Sequence, residues 1–173
     1  HGRGDPSGGE GARPDGLRCH QLMRVWRVTR RAHAASDGEG ARLYGGRWNL
    51  LNTPVVYASA SLSLAVLEYL VHVDRDLAPS DLVSIAATIP ISLLVETVEI
   101  GQLPKGWQAP SDQESLQRLG SEWVQVQASA VLRVPSALIP VEFNYLLNPA
   151  HSDFGRIVWA DPVPFSLDPR FLQ

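Results

Sequence analysis

Cysteine is nearly missing from this chain. Cys19 stands alone among 173 residues, which excludes an intramolecular disulfide and leaves no material for a thiolate metal cluster. The five histidines, His1, His20, His33, His72 and His151, fall at no ligand spacing such as HExxH, so no metal is expected. An excess of basic charge is absent too. Fifteen Lys and Arg face eighteen Asp and Glu, a formal net charge of −3, so no global positive field recruits nucleic acid or an anionic membrane, and only a local basic pocket is left open. No apolar run approaches the ~18 residues of a membrane span, and the N-terminus shows no signal-peptide core. A cytoplasmic address is therefore expected.

What is present fits one globular domain. Apolar residues make up 45% and charged residues 19% of the chain, and its length suits a single hydrophobic core. Residues 1–22 are an exception: they hold six of the fourteen glycines and almost nothing apolar before Leu17. Such a segment cannot offset the entropy of ordering, and it is expected to be a flexible extension, an expression remnant or sequence upstream of the natural start. The Arg3-Gly4-Asp5 triplet within it is read as chance rather than as an adhesion motif. Residues 23–173 are taken as the folded domain.

From Met23 the string MRVWRVT alternates with period two and predicts a strand that puts Arg27 on the face of Met23 and Val25. Residues 31–46, with Gly38, Gly40, Gly45 and Gly46, predict a long irregular loop. TPVVYAS suits a short buried strand. SLSLAVLEYLVHV has helical length with a serine start at Ser59 or Ser61. On a helical wheel its apolar residues cover most of the circumference, which predicts burial on more than one side, and Glu68 and His72 form a polar stripe flanked by Leu64 and Ala65.

Further on, DLVSIAATIP and SLLVETVEI read as strands and residues 101–110 as a loop. Ser111 and Glu114 have capping-box spacing, predicting a helix that carries Leu116, Leu119 and Trp123 and is interrupted or bent near Gly120. AVLRVPSALIP reads as two short strands split by Pro135, VEFNYLLNPAHSDFG as a connection, and RIVWADPVPF as a last strand. Strands interspersed with two or three helices, without a βαβ rhythm, give an α+β domain with a mixed sheet.

Several short strings then coincide with one family. GGRWN at 45–49, TPVVYASASLSLAVLEYLVHV at 53–73, LPKGW at 103–107, LRVPSAL at 132–138 and NYLLNPAHSDF at 144–154 together resemble the RES domain, in this order and over about residues 23–165. The resemblance implies a compact ADP-ribosyltransferase-like fold and a bacterial toxin paired with an Xre-like helix-turn-helix antitoxin. It further implies an activity that depletes NAD by breaking the nicotinamide–ribose bond, with water, phosphate or a protein as acceptor. NAD is then substrate rather than cofactor, inorganic phosphate an optional co-substrate, and no membrane or direct nucleic-acid contact is needed. A homo-oligomer and a hetero-oligomer with the antitoxin are both compatible.

The residues can be weighed against that chemistry. Cleaving the bond builds positive charge on the ribose, as in glycoside hydrolysis, and a preorganised carboxylate beside it stabilises that charge. Glu68 is the candidate, unless it is a solvated helix-face glutamate. Two phosphates favour guanidinium forks. Arg47, after two glycines, and Arg27, on the first strand, match the family's arginines; the alternative for Arg27 is a rim ion pair. Gly45-Gly46 is not a Rossmann fingerprint, since no GxGxxG pattern is present. Tyr57 either meets the ligand or is a core tyrosine with a satisfied hydroxyl. Ser136, which matches the family serine, binds the nicotinamide amide or orients Glu68, or is only a turn serine. Tyr44, His72 and His151 are secondary candidates, while Trp48 and Asn49 are expected to fix their loop.

Overall fold

The computed structural model describes residues 22–73, 79–111 and 113–172. The extension expected over residues 1–22 lies outside the described residues except for Leu22, which opens the first strand. Eight strands form one sheet: β1 (Leu22–Arg30), β2 (Val56–Ser59), β3 (Leu82–Pro90), β4 (Val95–Thr97), β5 (Val131–Pro135), β6 (Phe143–Leu147), β7 (Val158–Trp159) and β8 (Val163–Pro164). Their order is β4-β5-β6-β2-β1-β3-β7, with β8 also on β3. Every pairing is antiparallel except β4 with β5. Three α-helices, α1 (Glu39–Tyr44), α2 (Leu62–Leu70) and α3 (Glu114–Val126), complete an α+β domain.

Period-two alternation sorts the strands between two faces. Val56 and Ala58 of β2 and Tyr145 and Leu147 of β6 join Val25, Ala87 and Ile89 in one core cluster. On the other face Val55, Leu132, Val134 and Leu146 pack beneath Trp123 and Leu116 of α3. Tyr57 and Ser59 share the alternation of Val55, and Asn144 that of Leu146, so β2 and β6 send polar groups to the α3 side. Helix α2 covers a third, smaller cluster of Val28, Ala65 and Val66, flanked by Trp26 and Tyr69.

Several expectations need correction. Helix α2 starts at Ser61, whose side chain accepts from Leu64 N, and ends at Leu70 rather than Val73. Leu64, Ala65 and Val66 are buried in succession, about 200° of the wheel, so burial on more than one side holds, while Leu67 and Val71, 38% and 56% exposed, leave the rest open. Glu68 is half-buried, and His72, one turn on in the same stripe, is exposed. The expected loop at 31–46 contains α1 and a 3-10 turn at Arg31–His33. Ser111 does not cap α3, whose N-cap is Gln113 without a side-chain bond. Nor is α3 interrupted at Gly120: the helix runs through it, and glycine is needed there because a Cβ would collide with the Trp48 carbonyl.

AVLRVPSALIP forms one strand and a turn, not two strands. FNYLL, within the predicted connection, is β6, paired with both β2 and β5. The last predicted strand is two short ones, β7 and β8, and SLLVETVEI contributes only Val95–Thr97.

Candidate active site

A cleft of about 460 Å³ opens between β1, β2, α1 and α2, within the roughly 300–1,000 Å³ usual for small-molecule sites. A second lobe of about 260 Å³ adjoins it on the α3 side. Arg47, Glu68, Tyr44 and His72 line both lobes, so the guanidinium and the carboxylate stand at their junction.

Glu68 reaches this junction because α2 buries its Leu64–Ala65 side and Glu68 lies one turn further along that side. The carboxylate is held, not solvated at random. Its Oε1 accepts from Ser136 Oγ at 2.7 Å and from Asn144 Nδ2 at 2.6 Å. Ser136 is fully buried, and its Oγ accepts from the backbone N–H groups of Leu138 and Ile139, both at 3.1 Å. Those two bonds fill the hydroxyl's lone pairs, so its one proton is committed to Glu68. Ser136 is thus placed to orient the Glu68 carboxylate, and with both lone pairs taken by backbone N–H groups its oxygen is not free to act as a nucleophile.

Arg47 sits in the tight turn Gly46–Asn49, where Gly46 N donates to Asn49 O. Gly46 is required by space, because a Cβ there would lie 2.6 Å from the Tyr57 hydroxyl oxygen. From below, Asn49 Nδ2 donates to the carbonyls of Ala41, Leu50 and Thr53. From the α3 side, Gln117 Nε2 donates to Gly46 O, and Leu50 N donates to Ser121 Oγ. Trp48 and Asn49 therefore fix the loop, as expected. The Arg47 guanidinium donates through Nη1 to Trp107 O and Ala109 O, and through Nη2 to Gln108 O. Among the described residues its Nε–H and one Nη2–H have no partner. Burial lowers the Arg47 pKa from its ordinary value, and the nearby Glu68 carboxylate and Tyr57 oppose that shift.

Arg27 lines the larger lobe from β1, half-buried, with Nη1 donating to His33 O and Ala35 O. No rim ion pair engages it among the described residues; desolvation lowers its pKa and Asp37 partly offsets this. Tyr57 also lines the lobe, but its hydroxyl accepts from Trp48 N at 3.1 Å and donates to Asn49 Oδ1 at 2.7 Å. Burial pushes its pKa well up, so the phenol stays neutral and its proton is spent inside the protein. Tyr57 is a loop anchor whose ring forms cleft wall.

Tyr44, 83% exposed, and His72, also exposed, stand at the mouth. His151 is not brought to the site. It precedes the 3-10 turn Ser152–Arg156, where its Nδ1 accepts from Asp153 N, beyond the end of β6 remote from Asn144. Sequence alone does not single out two groups of the cleft: Asn144 falls in a segment that reads as a connection, and Ser59 reads only as a helix cap; the one signal is a lone polar residue inside the apolar run FNYLL.

A single α+β domain with a bound acid and a guanidinium at the waist of a two-lobed cleft is the class of protein these features define. The sequence model of the RES domain matches residues 24–168, and the chain belongs to the RES domain family. It is 39% identical over 154 residues to "Toxin Res" of Photorhabdus laumondii subsp. laumondii, covering 87% of this chain and 98% of that one. It is 37% identical over 155 residues to "Prs ADP-ribosylating toxin" of a Sphingobium species, covering 86% and 96%. A solved structure with a similar fold is the M. tuberculosis MbcT-MbcA toxin-antitoxin complex, at TM-score 0.66, 18% identity and 88% coverage of each chain.

Proposed function

We propose that this chain is the toxin of a toxin–antitoxin pair and that it consumes NAD by cleaving the nicotinamide–ribose bond. The observation that carries this reading is the Glu68 carboxylate, tethered through Oε1 and standing with Arg47 where the two lobes meet. As the C–N bond breaks, its electron pair leaves with neutral nicotinamide and positive charge develops on the ribose. Glu68 Oε2 stabilises that charge without having to reorient. The free edge of Arg47, with Arg27 along the larger lobe, suits the pyrophosphate. Trp26 and Tyr69 in the same lobe supply aromatic surface for the rings.

The smaller lobe gives an acceptor its own approach to the ribose carbon. Water there yields ADP-ribose and a proton; phosphate yields a phosphorylated ADP-ribose. A second reading, protein ADP-ribosylation, is favoured by the name of the Sphingobium relative. An antitoxin of Xre-like helix-turn-helix type is the partner this reading requires, and the exposed Tyr44, Val71 and Leu138 around the cleft offer it an apolar rim. Among the described residues no helix is long and apolar enough to cross a membrane.

Mass spectrometry of NAD incubated with the purified chain, with and without phosphate, separates the routes. Free nicotinamide with ADP-ribose or its phosphorylated form supports NAD consumption. Mass added to a protein target, with no free ADP-ribose, moves the assignment to the second reading, and intact NAD rejects both.

A further inference from the structure

Asn144 comes to the site from the interior of the sheet. In register it lies opposite Ser59 of β2 on one side and Val134 of β5 on the other, and Ser59 in turn lies opposite Trp26 of β1. This row runs along the floor of the larger lobe, which Trp26, Ser59 and Asn144 all line. The Asn144 Nδ2 lies 2.6 Å from Glu68 Oε1, and its Oδ1 lies 2.7 Å from Ser59 Oγ.

An asparagine amide can be placed either way round, but here the neighbours decide. Glu68 Oε1 already accepts from Ser136, so the nitrogen faces it as a second donor; the Ser59 hydroxyl can donate, so the carbonyl end faces Ser59. The result is a directed chain in which Ser59 donates to Asn144 and Asn144 donates to Glu68.

We infer that Asn144, held by Ser59, is a positioning residue for Glu68, fixing which carboxylate oxygen meets the substrate. The inference rests on the NAD-cleaving reading of the same site. A glutamate side chain has three rotatable torsions, and α2 ends only two residues after Glu68, so the helix alone does not fix the carboxyl group. Ser136 supplies one donor to Oε1 from the turn after β5. Asn144 supplies a second to the same oxygen from β6. Two donors from separate parts of the sheet pin Oε1, and among the described residues no donor reaches Oε2. Oε2 is thereby the oxygen presented to the ribose.

The test compares Asn144→Asp, Ser59→Ala and Ser59→Thr with wild type, reading kcat and KM for NAD at pH 5 and pH 8. Asn144→Asp keeps the shape of the side chain and replaces the donor with an acid. Two carboxyl groups this close share one proton, and while that proton is held the introduced acid donates to Glu68 as the amide did. At pH 8 kcat should fall by about tenfold to a hundredfold, the range expected for a displaced catalytic group, with KM within about twofold. Relative to wild type, kcat should recover at pH 5. Ser59→Ala should lower kcat, and Ser59→Thr, which keeps the hydroxyl, should restore it.

A variant-to-wild-type ratio that is the same at both pH values, or a loss confined to KM, overturns the inference. Thermal stability of Asn144→Asp against pH supplies a readout that needs no substrate. The shared proton raises a folded-state pKa, so the variant should lose stability relative to wild type as pH rises through its ionisation. If wild type leaves NAD intact, the NAD reading fails and takes the catalytic role with it. The stability comparison then decides the Asn144–Glu68 contact by itself, and a difference independent of pH counts against it.

Discussion

Each polar side chain in the cleft was singled out by sequence only when its surroundings made it anomalous. Glu68 stands out because it interrupts an apolar helical segment, and Arg47 because it follows two glycines in a tight turn. Both line the cleft as expected. Ser136 and Tyr57 were ambiguous because a hydroxyl's role depends on where its hydrogen points, which only the three-dimensional partners decide. For Tyr57 those partners are Trp48 N and Asn49 Oδ1, which make the phenol structural. Its titration has a testable consequence. Burial raises the folded-state pKa above the ordinary value of 10.0, so the folded chain keeps a proton that the unfolded chain gives up. The stabilisation is complete below the unfolded value and is lost as pH rises beyond it. Urea unfolding at pH 8 and pH 10.5 should show a drop for wild type that Tyr57→Phe reduces; an equal drop in both would refute the assignment.

Among the elements, β1 follows from alternation, β2 and β3 from apolar runs bounded by turn residues, and the start of α2 from its serine. β6 is not legible because a central strand packed on both faces gives no clear apolar–polar alternation. That conceals Asn144. The capping box at Ser111 was a false signal, because the chain enters α3 at Gln113 instead. Gly120 looked like a helix breaker when seen alone; in the fold it is the point where α3 touches the Arg47 loop. Gly120→Val would drive a branched side chain into the Trp48 carbonyl, and it should destabilise the domain by about 3 kcal/mol, the upper end for overpacking. Denaturant unfolding checks this, and a loss below about 0.5 kcal/mol, the scale of a neutral surface change, would show that α3 does not bear on the loop as described.

The whole molecule is a sheet whose two faces have different work. One is sealed by an apolar cluster, and the other carries polar groups from β2 and β6 toward a cleft closed off by α2, α3 and the Arg47 loop. Fold class could be inferred from the mix of elements, but the cleft could not. Its waist is assembled from residues 47, 68, 136 and 144, which lie far apart in sequence and meet only through the strand order. Net charge says nothing of it either, since the guanidinium groups are few and local. The most direct measurement is release of nicotinamide from NAD by the purified chain and by Glu68→Gln, each shown by circular dichroism to be folded. Nicotinamide should appear with wild type and fall by about a hundredfold or more in the variant, as for loss of a preorganised charge-stabilising group. Equal release by both proteins would contradict the assignment of Glu68 as the acid that stabilises the ribose.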